Sequence, residues 1–263
     1  MNSQPQAIKQ RIADQFSKAA TNYDENASLQ WQIAQEALAL FGNEYQGNIT
    51  LDIGAGTGTV TQQLTVFSKQ VLAVDLALGM LQFAQQQNGN IHWIGGDAES
   101  LPLTDNSIDG VFSSMALQWC ASMPRVFAEL RRVLKPQGRA VIAIMTKGSY
   151  HEWHSCWHQS ESRAHINPFL EHNELQQMAL DAGFNVEAKQ CQYVSQHNNV
   201  RSLLGSIKAI GANVVVGNAN HQPLSRASLR ILEQRYETLR NAQGLLPLTY
   251  QISFLTLVSK PNQ

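Results

Sequence analysis

The sequence predicts an α/β fold, a mostly parallel sheet wound on both faces by helices. Short apolar runs alternate with helical patterns at the spacing of βα units. The first run ends in a glycine-rich turn, Gly54-Ala-Gly-Thr-Gly58. Acids then close or sit near the ends of three runs, at Asp52, Asp75 and Asp97.

The elements follow in order. Residues 6–20 and 26–41 read as helices, separated by Thr21-Asn-Tyr-Asp-Glu25. Ile49-Thr-Leu-Asp-Ile53 is the first strand, and Val60 to Phe67 the helix after the glycine turn. Gln70 to Val74 is a second strand with Asp75 at its end, followed by a helix through Met80 and Phe83. Ile91 to Ile94 and Ile108 to Phe112 are the third and fourth strands, with a helix over Met123 to Val133. Arg139 to Met145, after the turn Lys135-Pro-Gln-Gly138, is the fifth. A helix over 173–182 stops at Gly183, the position of a capping glycine. Strands near 185–195 and over Thr249 to Val258 complete the pattern. The chain reads as one domain, 1–263, with N-terminal helices at 6–41 and two helical insertions, about 147–171 and 199–240. The polar stretch Gly217 to Gln222 is a loop and too short for a domain boundary.

Bulk composition excludes several classes. The formal net charge of the 263 residues is -1, which gives no field for nucleic acid or anionic membrane. Hydrophobic residues make up 43%, enough for a large core. Cys120, Cys156 and Cys191 are odd in number and widely spaced, as in a reducing compartment. With no apolar run long enough for a span or leader, the expectation is a cytoplasmic protein.

Glycines at 54, 56 and 58 let the backbone turn sharply and approach a ligand closely. A dinucleotide site of the GxGxxG type places its third glycine at 59, where this chain has Thr59. Asp75 is placed to accept both hydroxyls of a ribose, a feature shared with nicotinamide enzymes. Asp97, in Gly95-Gly-Asp-Ala-Glu-Ser-Leu-Pro102, is placed for an adenine amino group. Asp52 orients the loop and favours a cationic amino-acid end. One acid at a strand end is usually a helix cap, but three behind a GxGxG point to a nucleoside.

At this point the sequence resembles the class I S-adenosylmethionine-dependent methyltransferases. The resemblance implies a Rossmann-like, seven-stranded sheet whose last strand is antiparallel. It implies S-adenosyl-L-methionine as cofactor and S-adenosylhomocysteine as product. Asp52, Gly54, Ala55, Gly56 and Gly58 would lie at the methionine end, Asp75 with Leu76 at the ribose, and Asp97 with Ala98 at the adenine. Ser113, in Phe112-Ser-Ser-Met-Ala-Leu-Gln-Trp119, would line the methyl-donor pocket, and Tyr23 would close over it.

Five further segments narrow the resemblance. They are residues 16–30, Ala116-Leu-Gln-Trp-Cys120, Arg163-Ala-His-Ile-Asn-Pro-Phe-Leu170, Ser202 to Ala212, and Leu246-Pro-Leu-Thr-Tyr250. Together they are similar to the malonyl-acyl-carrier-protein O-methyltransferases of biotin synthesis, over roughly residues 8–258. The implied partner is an acyl carrier protein bearing malonyl-phosphopantetheine, with malonyl-coenzyme A as an alternative thioester. Arg163, whose planar fork suits a carboxylate, is the first substrate candidate. Tyr23, Gln118 and Trp119 are pocket candidates, each equally readable as packing. Lys208 and Arg201 are candidates for the phosphopantetheine, or else solvated. Two basic groups, Arg125/Arg131/Arg132/Lys135 and Arg226/Arg230/Arg235/Arg240, are candidate carrier surfaces or plain helix faces. The rival readings are a methyltransferase for another small carboxylate or a quinone precursor, and a non-catalytic cofactor-binding regulator.

One octet invites a different reading. In His151-Glu-Trp-His-Ser-Cys-Trp-His158, at about 100° per residue, His151, His154 and His158 share one helical face. The resemblance implies that this insertion is a helical lid over the acceptor pocket, with Trp153 and Trp157 as its buried stripe. A carboxylate methyl transfer uses no metal, so no functional metal is expected.

Overall fold

Strands β1 (Gly47–Ile53), β2 (Ser68–Asp75), β3 (His92–Gly95), β4 (Ile108–Ser114), β5 (Leu134–Met145), β6 (Phe184–His197) and β7 (Leu246–Ser259) form one sheet. Its order is β3-β2-β1-β4-β5-β7-β6. Neighbours from β3 to β5 are parallel. β7 runs antiparallel between β5 and β6. The computed structural model describes residues 4–42, 45, 47–89, 91–157, 169–212 and 226–261.

Side-chain alternation divides the interior in two. Along β5, Val141, Ala143 and Met145 enter one apolar cluster, and Ala140, Ile142 and Ile144 enter the other. That is the period-two signature of a strand buried on both faces. The first cluster packs under α3 (Ser28–Gly42), through Ile33, Ala37 and Phe41. The second packs under α6 (Met123–Val133) and α8 (His172–Asp181). In α6 the residues Met123, Val126, Phe127, Leu130 and Val133 are buried at helical spacing. Ser122 caps its start by accepting from the Arg125 N–H. Gly183, at φ +91°, ends α8 as expected.

Several boundaries differ from the sequence reading. The separator 21–25 is itself helical: α1 (Gln4–Ala19) runs through a 3₁₀ turn, Ala20–Asn22, into a single turn, α2 (Tyr23–Asn26). The helix expected over 60–67 is one turn, α4 (Thr61–Leu64). Beyond it the N–H groups of residues 65, 66 and 67 bond the third carbonyl back, which tightens the chain and turns it into β2. Lys135-Pro-Gln-Gly138 is a bulge inside β5, between the pairs Ile108↔Leu134 and Gly110↔Arg139. α5 (Leu78–Gln87) follows β2 as read. The second insertion contains α9 (Val200–Ala209) and α10 (Arg226–Glu237). The Gly217–Gln222 loop lies outside the described residues. Among the described residues no helix is long and apolar enough to cross a membrane.

The octet becomes α7 (His151–Trp157). Its buried residues are Glu152, Trp153 and Cys156, while His151 and His154 are exposed. Glu152 accepts from both the Thr249 N–H (3.0 Å) and its Oγ1 (2.5 Å), which fixes the helix to β7. His158 and the Trp157 side chain lie outside the described part. No group of three or more His, Cys, Asp or Glu gathers around a common point among the described residues.

Candidate active site

The glycine turn after β1 holds three residues at positive φ, Gly54 (+76°), Gly56 (+57°) and Gly58 (+82°). Their surroundings give them different tasks. A Cβ on Gly54 would sit 2.1 Å from the Ala116 Cβ, and one on Gly58 would sit 2.4 Å from the Trp93 ring. A Cβ on Gly56 would meet nothing within 4 Å. Two glycines therefore allow packing, and the middle one leaves open space above the backbone.

The turn is tied to β2. The N–H groups of Gly54 and Ala55 donate to the Val74 carbonyl (2.8 and 3.2 Å). One Asp75 oxygen accepts from the Gly56 N–H (2.8 Å), the other from the Ala77 N–H (2.7 Å). Burial nonetheless pushes the Asp75 carboxyl above its ordinary range, with the backbone donors pulling the other way. Asp52, 3% exposed on β1, accepts from Thr61 Oγ1 (2.6 Å). Burial, with Asp75 as a nearby like charge, raises it from 3.8 to about 7.

A carboxyl whose folded value is raised favours the fold below its unfolded value and loses that contribution as pH rises through the folded one. The Asp52 contribution is thus present below about pH 3.8 and lost by about pH 7. Asp52→Asn is expected to flatten the fall in stability across that window. Thermal melts of both ligand-free proteins from mildly acidic to neutral pH check this, and parallel slopes would disprove it.

Above the turn lies a cleft in two connected parts, both lined by Tyr23, Gly54, Gly56, Ser114 and Met115. One part contains Asp75, Leu76, Asp97, Ala98 and Trp119, with Lys9 and Phe16 from α1. The other contains Asp52, Ala55, Trp31 and Phe112, with Asp24 and Gln30 from α2 and α3. Met115 holds φ +55°, a left-handed conformation costly for a side chain of this kind, at the junction. Tyr23 stands between the two parts, and burial beside Asp75 raises its phenol well above the ordinary range, so it stays neutral.

The N-terminal segment is latched onto the same loops. Lys9 pairs with Asp97 (2.6 Å) and Glu99 (3.0 Å). Ser17 Oγ accepts from the Gly79 N–H (3.1 Å). Asp24 accepts from Thr57 and Thr59 Oγ1, each at 2.8 Å, across the glycine turn. Sequence reading missed Lys9, Asp24 and Gln30. Asp24 lay inside a stretch read as a separator, and Lys9 is 88 positions from its partner.

Other expected residues fall elsewhere. Ser113 is fully buried and donates to the Ile53 carbonyl (2.7 Å), so its side chain turns from the cleft. Ser114, one position on, lines both parts, and its buried hydroxyl has no hydrogen-bond partner among the described residues. Gln118 folds back to the Met115 carbonyl (2.7 Å) instead of lining the cleft. Trp119 lines the Asp97 part, edge-on to Phe16 at 5.6 Å, and not the Asp52 part. Lys208 is exposed on α9, and Arg201 pairs with Glu233 at 3.3 Å. Arg163 lies outside the described residues.

The first basic group is largely engaged internally. Arg132 bonds Glu129, Asp105 and two carbonyls, Lys135 pairs with Asp109, and Arg131 reaches the Lys260 carbonyl. In the second group Arg235 holds the Cys156 carbonyl and Arg240 pairs with Glu237, while Arg226 and Arg230 are exposed.

Residues 51–142 match a family model described as a methyltransferase domain. The YcgJ protein of Bacillus subtilis superimposes with a TM-score of 0.62 at 19% identity, over 87% of this chain and all of that one. Phosphoethanolamine N-methyltransferase 2 of Haemonchus contortus, solved in complex with S-adenosyl-L-methionine, does so with a TM-score of 0.57 at 20% identity, over 93% and 57%. At those identities they establish the fold, the seven-stranded class I methyltransferase sheet expected from sequence. The bifunctional biotin biosynthesis protein BioHC of Cellvibrio japonicus is 37% identical over 95% of this chain, which spans 50% of that protein's length. The malonyl-acyl-carrier-protein O-methyltransferase of Serratia marcescens is 33% identical over 94% of both chains. A match of that extent, reaching from the N-terminal helices to β7, places the chain in the malonyl-acyl-carrier-protein O-methyltransferase family.

Proposed function

We propose that the protein methylates the free carboxylate of a malonyl group carried as a thioester on acyl carrier protein, an early step toward the pimeloyl part of biotin. Malonyl-coenzyme A is a second thioester of the same chemistry, and the reaction belongs to the cytoplasm. The observation that carries this reading is the open space above Gly56, held between Asp75 and Asp52 in a chain of this family. That cradle, with an orphaned Ser114 hydroxyl beside it, fits S-adenosyl-L-methionine.

Bound S-adenosyl-L-methionine supplies a methyl group on a sulfonium and leaves as the neutral thioether S-adenosylhomocysteine. Asp75 is the residue for the ribose hydroxyls, Asp97 for the adenine, and Asp52 for the amino-acid ammonium. Exposed Leu76 and the Trp119 ring offer apolar surface to the nucleoside. Tyr23, Trp31, Phe112 and Met115 enclose the other part and limit water there.

The acceptor carboxylate is already ionised at neutral pH, since such groups titrate near ~4. No general base is needed, and Tyr23, held neutral, is unsuited to be one. The reaction neutralises opposite charges, so holding the carboxylate and methyl group in line is the main task of the site. Arg163, from the Arg-Ala-His-Ile-Asn-Pro segment, is proposed to hold that carboxylate through its planar fork.

The test is incubation with S-adenosyl-L-methionine and malonyl-acyl-carrier protein, with mass spectrometry for the methyl ester. Methylation of some other acid and none of the malonyl thioester would overturn the reading. Arg163→Ala is expected to lower malonyl methylation about 100-fold with cofactor affinity retained, the scale of a lost charge pair. Unchanged turnover would remove Arg163 from the site.

A further inference from the structure

A separate cavity of ≈ 340 Å³ opens beside the cleft. Its walls come from α2 and α3, the end of β6, the second half of α9 and Tyr250 of β7. Ser28 and Gln30 line both this cavity and the Asp52 part of the cleft, so the two spaces meet at those residues. The volume lies within the range of ligand pockets, roughly 300–1,000 Å³.

Its chemistry is distinctive. Among the described residues no Asp, Glu, Lys or Arg lines it. The polar groups are amides and hydroxyls, such as Asn26, Gln32 and Ser206, with Ser195 hydrogen-bonded to His197 Nε2 at 2.8 Å. Burial lowers the His197 value, which keeps that ring uncharged at neutral pH. Gln30 is the most telling member. The residue is 9% exposed, lies where the two cavities meet, and its side-chain amide has no hydrogen-bond partner among the described residues. An amide that faces the junction of two spaces and bonds no other described side chain or backbone group is free to bond a ligand that displaces water there.

We infer that this side cavity receives the pantetheine arm of the acceptor, with Gln30 hydrogen-bonding the arm at its thioester end. The inference rests on the malonyl-thioester reading above. The arm is a neutral chain bearing two amides and a hydroxyl, so it needs both donors and acceptors and no counter-charge. A fatty acyl chain would leave the amides of the wall unsatisfied, and a charged ligand would find no counter-charge among the described residues of the wall. The direction of entry also follows: an arm lying in this cavity delivers its end group past Gln30 to the Asp52 side, away from the Asp97 end where the adenine is assigned.

The test compares three malonyl thioesters, those of acyl carrier protein, coenzyme A and a short alkyl thiol that lacks the arm's amides. Gln30→Leu removes the amide at nearly constant size, and Val194→Trp fills the cavity from a surface position that is 39% exposed. Each variant is expected to lower kcat/KM for the two arm-bearing substrates about tenfold relative to the short one, the scale of a lost buried hydrogen bond. Equal losses on long and short substrates, or no loss on any, would overturn the inference. Failure of the wild-type protein to methylate any malonyl thioester would instead overturn the functional reading. Should Gln30→Leu not fold, Val194→Trp carries the comparison by itself.

Discussion

Asp75→Ala is expected to weaken S-adenosyl-L-methionine binding about 100-fold or more while leaving the ligand-free melting temperature near that of the wild type. The carboxylate stands at the end of β2 and already accepts the Gly56 and Ala77 N–H groups, so it sets the position of the loop that a ligand must approach. Its removal loses that alignment together with the two ribose hydroxyls assigned to it. A charge-assisted hydrogen bond contributes about 1.5–3 kcal/mol, and two tenfold factors amount to about 2.8 kcal/mol. The fold loses little by comparison, because burial already makes the charged form of Asp75 unfavourable. Titration calorimetry with the cofactor and a melt without it separate the two effects. Affinity within about threefold of the wild type, a difference near 0.65 kcal/mol, would remove Asp75 from the binding site.

Gly54→Ala is expected to do the opposite and act on the fold. The residue holds φ +76°, and a methyl group would meet the Ala116 Cβ at 2.1 Å. The left-handed conformation costs an alanine about 1–2 kcal/mol. Overpacking adds about 1–3 kcal/mol, because both neighbours are anchored by backbone. A total near 3 kcal/mol corresponds to a melting temperature lower by about 6–12 °C for a chain of this size. Pairing it with Ala116→Gly should recover the packing share and leave the conformational share, a coupling that a double-mutant cycle measures. Additive effects would mean that the contact is relieved some other way.

The contrast between these residues explains what the sequence could and could not disclose. The strand ends, the glycine turn and the three acids follow from local pattern, and α6 begins and ends where its apolar spacing does. Ser113 was mistaken for Ser114 because neighbouring strand residues face opposite ways, and a one-residue choice exchanges cleft for core. Gln118 was misplaced because its amide found a backbone carbonyl three residues away, a local competition that composition does not show. α4 was overestimated because the apolar residues Leu64 and Phe67 pack from a tightening turn as well as from a helix. The residues missed altogether, Lys9 and Asp24, act on partners 88 and 33 positions away, beyond any periodicity. Gln30 is distinguished only by its place, at the junction of two cavities that sequence spacing does not reveal.

The three N-terminal contacts also bear on time. Lys9 and Asp24 grip the loops after β3 and β1, and Ser17 grips the first turn of α5, which follows β2. Each contact is weak by itself, yet they sit on one continuous stretch of chain and must release together for that stretch to swing clear. A nucleoside bound beneath them is expected to exchange on the clock of that joint release, in the range of local opening rather than of diffusion. The same first two dozen residues that line the cleft are therefore expected to set how often it can be emptied.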